Sequence, residues 1–273
     1  MSRPNDLLTR TGARPGAVGF LTDATLCIGC KACEVACKQW NQLPADGPAL
    51  KLTGFSYDNT VDLGATTWRH VAFVEQPGNP SPAWLMLSDV CKHCVHAGCL
   101  EACPTGAIIR TEFDTVVIQQ DVCNGCGYCV PACPFGVPQI DHAIGTARKC
   151  TLCYDRLIDG LEPACAKACP TDSIIFGPIT ELLPRARERV ETLKARGVDG
   201  AHVYGDRAVG GTNGIDGLNA LFVLTAPPET YNLPAAPRLP QDTGRGAWLS
   251  TAAAAVGLGL AAVAALRGPR RAQ

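Results

Sequence analysis

The first 26 residues contain no apolar run of 7 to 15 residues and no twin arginine, so the chain is expected to carry no export signal of its own. If it leaves the cytoplasm, another protein is expected to carry it. Neither Gly-Lys-Ser/Thr nor G-x-G-x-x-G occurs, which excludes the common phosphate and dinucleotide loops, and the glycine-rich run from Val209 to Gly217 reads as a plain loop. Covalent haem attachment needs C-x-x-C-H, and Cys91-Lys-His-Cys94-Val95 lacks the final histidine. Twenty-four basic against twenty-five acidic side chains leave no positive excess for nucleic acid. His70, His93, His96, His142 and His202 are scattered, and no nucleophile, paired carboxylate or open metal site accompanies them. No catalytic residue is expected.

What the chain does have is sixteen cysteines. They fall without remainder into four quartets: Cys27, Cys30, Cys33, Cys37; Cys91, Cys94, Cys99, Cys103; Cys123, Cys126, Cys129, Cys133; and Cys150, Cys153, Cys165, Cys169. In the third, Cys123-Asn-Gly-Cys126-Gly-Tyr-Cys129-Val-Pro-Ala-Cys133-Pro134, three thiols recur every third residue. A fourth follows four residues later, before a proline, which is the spacing bacterial ferredoxins use for cubane iron-sulfur clusters. Gly125 and Gly127 permit the backbone to curl around such a cluster.

Disulfides fit poorly, because neighbours two residues apart would be strained partners. Zinc is the stronger rival, but structural zinc sites use two separated C-x2-C knuckles, whereas the first and third quartets crowd three cysteines into seven residues. Four complete quartets predict four 4Fe-4S clusters, iron on all sixteen thiolates, and a holoprotein charge of about −9 if each cluster carries about −2. Lys31, Lys38, Lys92, Arg148, Lys149 and Lys167 lie among the ligands and could offset part of it, or simply be solvated.

Cysteine loop, short helix, Cys-Pro and short strand recur at Cys103-Pro104 and Cys169-Pro170, the internal repeat of a two-cluster ferredoxin. In such repeats the fourth cysteine serves the partner's cluster. Pairing the second with the third quartet gives Cys91, Cys94, Cys99 with Cys133, and Cys123, Cys126, Cys129 with Cys103. The outer pair then gives Cys27, Cys30, Cys33 with Cys169, and Cys150, Cys153, Cys165 with Cys37. A tandem pairing of first with second and third with fourth stays open.

The expected fold class is α+β, with two ferredoxin-like dicluster domains, one inserted in the other, and a C-terminal transmembrane helix. Its parts are an N-terminal extension (1–26), an outer domain (27–45 and 140–180), a hairpin insertion (46–88) covering the clusters or facing a partner, an inner domain (89–139), and a helix with an extended partner-binding arm (181–240). The insertion's strands run from Trp68 to Glu75 and from Trp84 to Ser88. Leu182, Leu183, Ala186, Val190 and Leu193 form the apolar stripe of a surface helix over 180–196, capped by Thr180 and closed by Gly197. Gly246 to Leu266 is 21 residues without a charge, roughly 31 Å as a helix and just enough to span a bilayer core; packing against a partner is its alternative. Arg267, Arg270 and Arg271 beyond it outnumber Arg238 and Arg245 before it, which puts the tail in the cytoplasm and the clusters outside.

The motifs Cys27-Ile-Gly-Cys30-Lys-Ala-Cys33, Cys126-Gly-Tyr-Cys129-x3-Cys133-Pro-Phe135 and Lys149-Cys-Thr-Leu-Cys153 with Glu162-Pro-Ala-Cys165 resemble the iron-sulfur (beta) subunit of membrane-bound respiratory formate dehydrogenases. The broader group is the four-cluster subunits of molybdopterin oxidoreductases. In nitrate reductase relatives a tryptophan replaces one cysteine; here all sixteen remain. The resemblance implies a relay of four 4Fe-4S clusters between a molybdenum or tungsten bis-pterin catalytic subunit and a membrane cytochrome b that feeds quinone. Other molybdopterin oxidoreductases and some hydrogenases use similar relays.

Overall fold

The structure is a computed structural model that describes residues 16–45, 60, 62–76, 83–206 and 217–266. The glycine-rich run and the hairpin connection at 77–82 fall largely or wholly outside the described residues. The first half comprises β1 (Val18–Asp23), α1 (Ala32–Trp40), β2 (Arg69–Gln76), β3 (Ala83–Val90), α2 (Gly98–Glu101), β4 (Ile108–Arg110), β5 (Val116–Ile118) and α3 (Cys129–Ala132). The second comprises β6 (Gln139–Asp141), β7 (Thr146–Arg148), α4 (Tyr154–Ile158), α5 (Ala164–Lys167), β8 (Ile174–Pro178), α6 (Ile179–Ala195), β9 (His202–Tyr204), β10 (Ala220–Leu224) and α7 (Pro240–Leu266).

Three antiparallel hairpins, β2–β3, β4–β5 and β6–β7, accompany one four-stranded sheet of order β8-β1-β10-β9. In that sheet β1 runs antiparallel to β8, with Phe20 opposite Phe176, and parallel to β10, with Phe20 opposite Ala220. Residues 1–26 are therefore not merely an extension, since they supply a central strand. Alternation sends its side chains to two cores. Phe20 joins Phe222, Tyr204 and the cysteines on one face. Leu21 joins Leu221, Val223 and the α6 stripe on the other.

The stripe is buried as its spacing predicts: Leu182, Leu183, Ala186, Val190 and Leu193 all face the sheet, together with Ile179. The caps differ. The helix begins after Pro178, with no side-chain cap, so Thr180 lies inside it. Gly197 does close it, at φ 87°. Its N–H reaches the Lys194 carbonyl at 2.9 Å and the Val198 N–H the Leu193 carbonyl at 3.0 Å, a Schellman ending.

The short helices α2, α3 and α5 stop just before Cys103-Pro104, Cys133-Pro134 and Cys169-Pro170. The first quartet has no such proline, and α1 runs on through Cys37 to Trp40. Residues 226–240, read as an arm for a partner, pack back on the chain itself. Tyr231, Leu233 and Leu239 are buried in the main core, and the Tyr204 hydroxyl donates to the Pro234 carbonyl at 2.7 Å.

The 246–266 segment is helical throughout as part of α7, with Trp248 76 % exposed and Leu258 73 % exposed. Among the described residues no helix is long and apolar enough to cross a membrane; the side chains of 241–247 and 265–266 are not among them.

Candidate cluster-binding sites

Each quartet occupies a loop whose curl is set by left-handed backbone. Gly29, Gly125 and Gly127 take φ values of 66°, 73° and 77°, and among non-glycine residues Lys31, His93, Leu152 and Cys153 also turn left-handed within or beside their quartets. Such angles are costly for side-chain-bearing residues and cluster where a loop must wrap something.

Cys27, Cys30, Cys33 and Cys169 line one cavity, walled by Val71 and Ile174. The thiols of Cys37, Cys153 and Cys165 lie in one another's electrostatic field, with Cys150 beside Cys37, Cys153 and Cys165. Cys94 feels Cys133, Cys91 and Cys99. Cys129 feels Cys123, Cys126 and Cys103. At three junctions further proximities join these groups: Cys33 with Cys165 and Cys37, Cys150 with Cys91, and Cys99 with Cys129. Exposure changes along that series. Cys30 and Cys126, in the first and last groups, are exposed; Cys33 and Cys129 in the same groups are buried, as are Cys37, Cys91, Cys99, Cys150, Cys153 and Cys165, and the other six are half-buried.

Hydrogen-bond donors reach many of the sulfurs. The Ala147 N–H donates to Cys123 Sγ at 3.4 Å and the Leu152 N–H to Cys150 Sγ at 3.3 Å. Thr105 and Thr171 each follow a Cys-Pro pair, and their hydroxyls lie 3.6 Å from Cys103 Sγ and 3.8 Å from Cys169 Sγ. A recurring Cys-Pro-Thr is a signal that spacing alone does not interpret.

The positive groups divide between the two readings. Of the six lysines and arginines that lie among the ligands in sequence, only Lys92 and Lys149 are buried; Lys167 is largely exposed, and Lys38 donates to the Thr66 carbonyl. Lys149 donates to the Val116 and Cys150 carbonyls, in the field of Cys91, Cys99, Cys150 and Cys133. A further buried cation, Arg69, comes from the cysteine-free insertion, which is thus more than a cover. His93 is a packing residue: the Val116 N–H donates to its Nδ1 at 3.0 Å. Burial, then Lys149, Arg110 and Arg69, hold its pKa well below the usual imidazole value.

Residues 82–179 match the 4Fe-4S dicluster domain family, and residues 24–40 a 4Fe-4S binding domain. The nitrate-inducible formate dehydrogenase iron-sulfur subunit of Escherichia coli K12 is 43% identical over 236 residues, covering 85% of this chain and 76% of that protein. The formate dehydrogenase iron-sulfur subunit of Haemophilus influenzae is 43% identical over 226 residues, with coverages of 81% and 70%. The B subunit of the anaerobic dimethyl sulfoxide reductase of Escherichia coli K12 is 38% identical over 165 residues, 60% of this chain and 75% of its own length. The chain belongs to the formate dehydrogenase iron-sulfur subunit family. It is a non-catalytic electron-transfer subunit that binds 4Fe-4S clusters and works beside a catalytic subunit.

The donor set fits that cofactor. Burial first, and neighbouring thiolates after it, push the Cys129 and Cys153 thiols up to about 11. Burial likewise takes Cys99 to about 12 despite the opposing pull of Lys149. Thiols this hard to ionise become thiolates when iron supplies the missing positive charge, releasing protons. Cys103 is the exception: its slight burial raises it, but the Thr105 hydroxyl and the amides of Ile108, Thr105 and Ala107 bring it below the usual thiol value. Among the described residues no three His, Cys, Asp or Glu side chains close on one point as the ligands of a single ion would.

Proposed function

We propose that this iron-sulfur subunit relays single electrons through four 4Fe-4S clusters, from a molybdenum or tungsten pterin formate dehydrogenase subunit to a membrane cytochrome b and quinone. The ligand sets are Cys27, Cys30, Cys33 and Cys169; Cys37, Cys150, Cys153 and Cys165; Cys91, Cys94, Cys99 and Cys133; and Cys103, Cys123, Cys126 and Cys129. One observation carries the relay above the others: the two exposed cysteines, Cys30 and Cys126, belong to the first and last sets, while the sets between hold none that is exposed and six that are buried. Taken with the three junctions, this supports a chain of short steps with an accessible end on either side.

Bound clusters would accept and return one electron at a time. The polypeptide's contribution is to hold the thiolates, keep water from the middle sets, and surround the sulfurs with N–H, hydroxyl and cationic groups that adjust their potentials. Formate as the ultimate donor rests on the formate dehydrogenase relatives. The similarity to a dimethyl sulfoxide reductase subunit supports the same relay with another catalytic partner.

The tail reading joins this proposal. The uncharged 246–266 stretch, helical with an exposed apolar surface, supports a single-pass anchor, and Arg267, Arg270 and Arg271 beyond it against Arg238 and Arg245 before it favour the clusters on the extracytoplasmic side.

The experiment is anaerobic purification of the membrane complex, iron and acid-labile sulfide analysis, and reduction by formate. About sixteen irons and as many sulfides on this subunit, with clusters reduced by formate, are expected. Zinc without sulfide would replace the relay by a scaffold. Intact clusters that formate leaves oxidised would assign the relay to another oxidoreductase.

A further inference from the structure

Arg69 opens β2 and is 1 % exposed. A guanidinium cannot shed its proton in the working range, so burying one demands opposite charge or a full set of acceptors. Here that opposite charge is sulfur. Burial alone would make Arg69 easier to deprotonate, and the thiols of Cys165, Cys33, Cys150 and Cys37, in that order, more than reverse it.

The contacts are directional. Nη2 donates to Cys165 Sγ at 3.3 Å. Nη1 donates to the Ser88 hydroxyl and carbonyl, both at 3.3 Å. The Ser88 hydroxyl lies 3.2 Å from Cys33 Sγ, and against a thiolate it is the donor. The Phe20 ring, 4.6 Å from the guanidinium carbon, closes the other side. The β2–β3 register sets this up: Ser88 pairs with Val71, two residues beyond Arg69, so all three share one face of the hairpin. Cys33 and Cys165 belong to different ligand sets. Lys149, the comparable buried cation, donates to backbone carbonyls instead.

We propose that Arg69 and Ser88 form a redox-setting bridge, one buried positive charge hydrogen-bonded directly to a ligand of one cluster and through the Ser88 hydroxyl to a ligand of its neighbour, holding both potentials up. The inference rests on the four-cluster reading. Reduction adds negative charge to a cluster, so a fixed cation and hydrogen bonds to sulfur favour the reduced form, more strongly in a dry interior than in water. Sharing one cation between adjacent clusters raises both together and leaves an electron little reason to stay on either. Because arginine does not titrate, the bridge acts equally across the physiological pH range.

The test uses the anaerobically purified complex carrying Arg69→Met, Arg69→Lys or Ser88→Ala, with iron and sulfide analysis and a redox titration followed by electron paramagnetic resonance. Arg69→Met is expected to keep its iron and move two of the four transitions to lower potential. Each should change tenfold or more in reduced-to-oxidised ratio at fixed potential, which is 59 mV for a one-electron couple. Arg69→Lys retains the charge and should move them less; an equal movement would overturn the role of charge. Ser88→Ala should move one transition only. Full iron and sulfide in Arg69→Met with no transition moved, or with all four moved alike, would overturn the bridge. Should Arg69→Met lose iron, Ser88→Ala decides: one transition moved supports the bridge, and none or all moved overturns it. Absence of sulfide from the unsubstituted complex would instead overturn the four-cluster reading.

Discussion

Gly125 lies so close to Gly145 that a Cβ on Gly125 would come within 2.1 Å of the Gly145 carbonyl oxygen. The β6–β7 hairpin is thus a strap across the third quartet. It also sends the Ala147 N–H to Cys123 Sγ, while the Gln120 amide donates to the Ala147 carbonyl at 2.9 Å.

Two glycines of one loop should therefore respond unequally. Gly125→Ala adds this backbone clash to the left-handed strain at φ 73°. Gly127→Ala, at φ 77° with its nearest neighbour 4.0 Å away, adds strain alone, about 1–2 kcal/mol. Gly125→Ala is expected to lose about a quarter of the iron, one cluster of four, and Gly127→Ala to keep it, as measured on anaerobically purified protein.

The crossed ligand sets make a pairwise forecast. Cys103→Ala and Cys126→Ala should abolish the same paramagnetic signal, and Cys133→Ala should share its loss with Cys94→Ala. A tandem arrangement would break both coincidences.

Asp23 ends β1 and accepts from Arg189 Nε at 2.7 Å, the Thr25 N–H at 2.9 Å and the Thr25 hydroxyl at 2.6 Å. Removing one partner of a buried pair costs about 3–5 kcal/mol. Arg189 keeps a quarter of its side chain in water, so about 2–3 kcal/mol is the reasonable cost of Asp23→Ala. Thermal loss of cluster absorbance should come roughly 5 °C or more lower. Lys194→Ala, which breaks only an exposed pair with Glu191, should shift it by less than about 2 °C.

Leu258 is exposed on α7, so Leu258→Arg leaves the cluster-bearing body intact. A mid-span arginine disfavours insertion by about 2.5–3.5 kcal/mol. The substituted subunit is expected in the soluble fraction with its iron retained; an unchanged membrane fraction would remove the tail as an anchor.

Much of the site was readable because cluster ligation is local. Three thiols in seven residues, Gly125 and Gly127 between them, and Cys-Pro behind them specify a loop, a short helix and its stop without reference to the rest of the chain. The α6 stripe was equally readable, since its burial follows from a 3.6-residue period. Strand β1 was not, because a strand buried on both faces, flanked by glycine and proline, carries no alternating signal and derives its stability from partners more than 150 residues away. Nor could sequence separate Lys149, buried among thiols, from Lys167 in solvent, as both sit beside ligands.

By itself, then, the order of residues determined that thiols come in fours, that these loops wrap a cofactor, and that the chemistry is electron transfer, because those properties depend on neighbours a few residues apart. Folding alone decided which cation meets which sulfur. Arg69 and Ser88 reach Cys165 and Cys33 through strand register and core packing, contacts spanning 96 and 55 residues that local spacing does not encode.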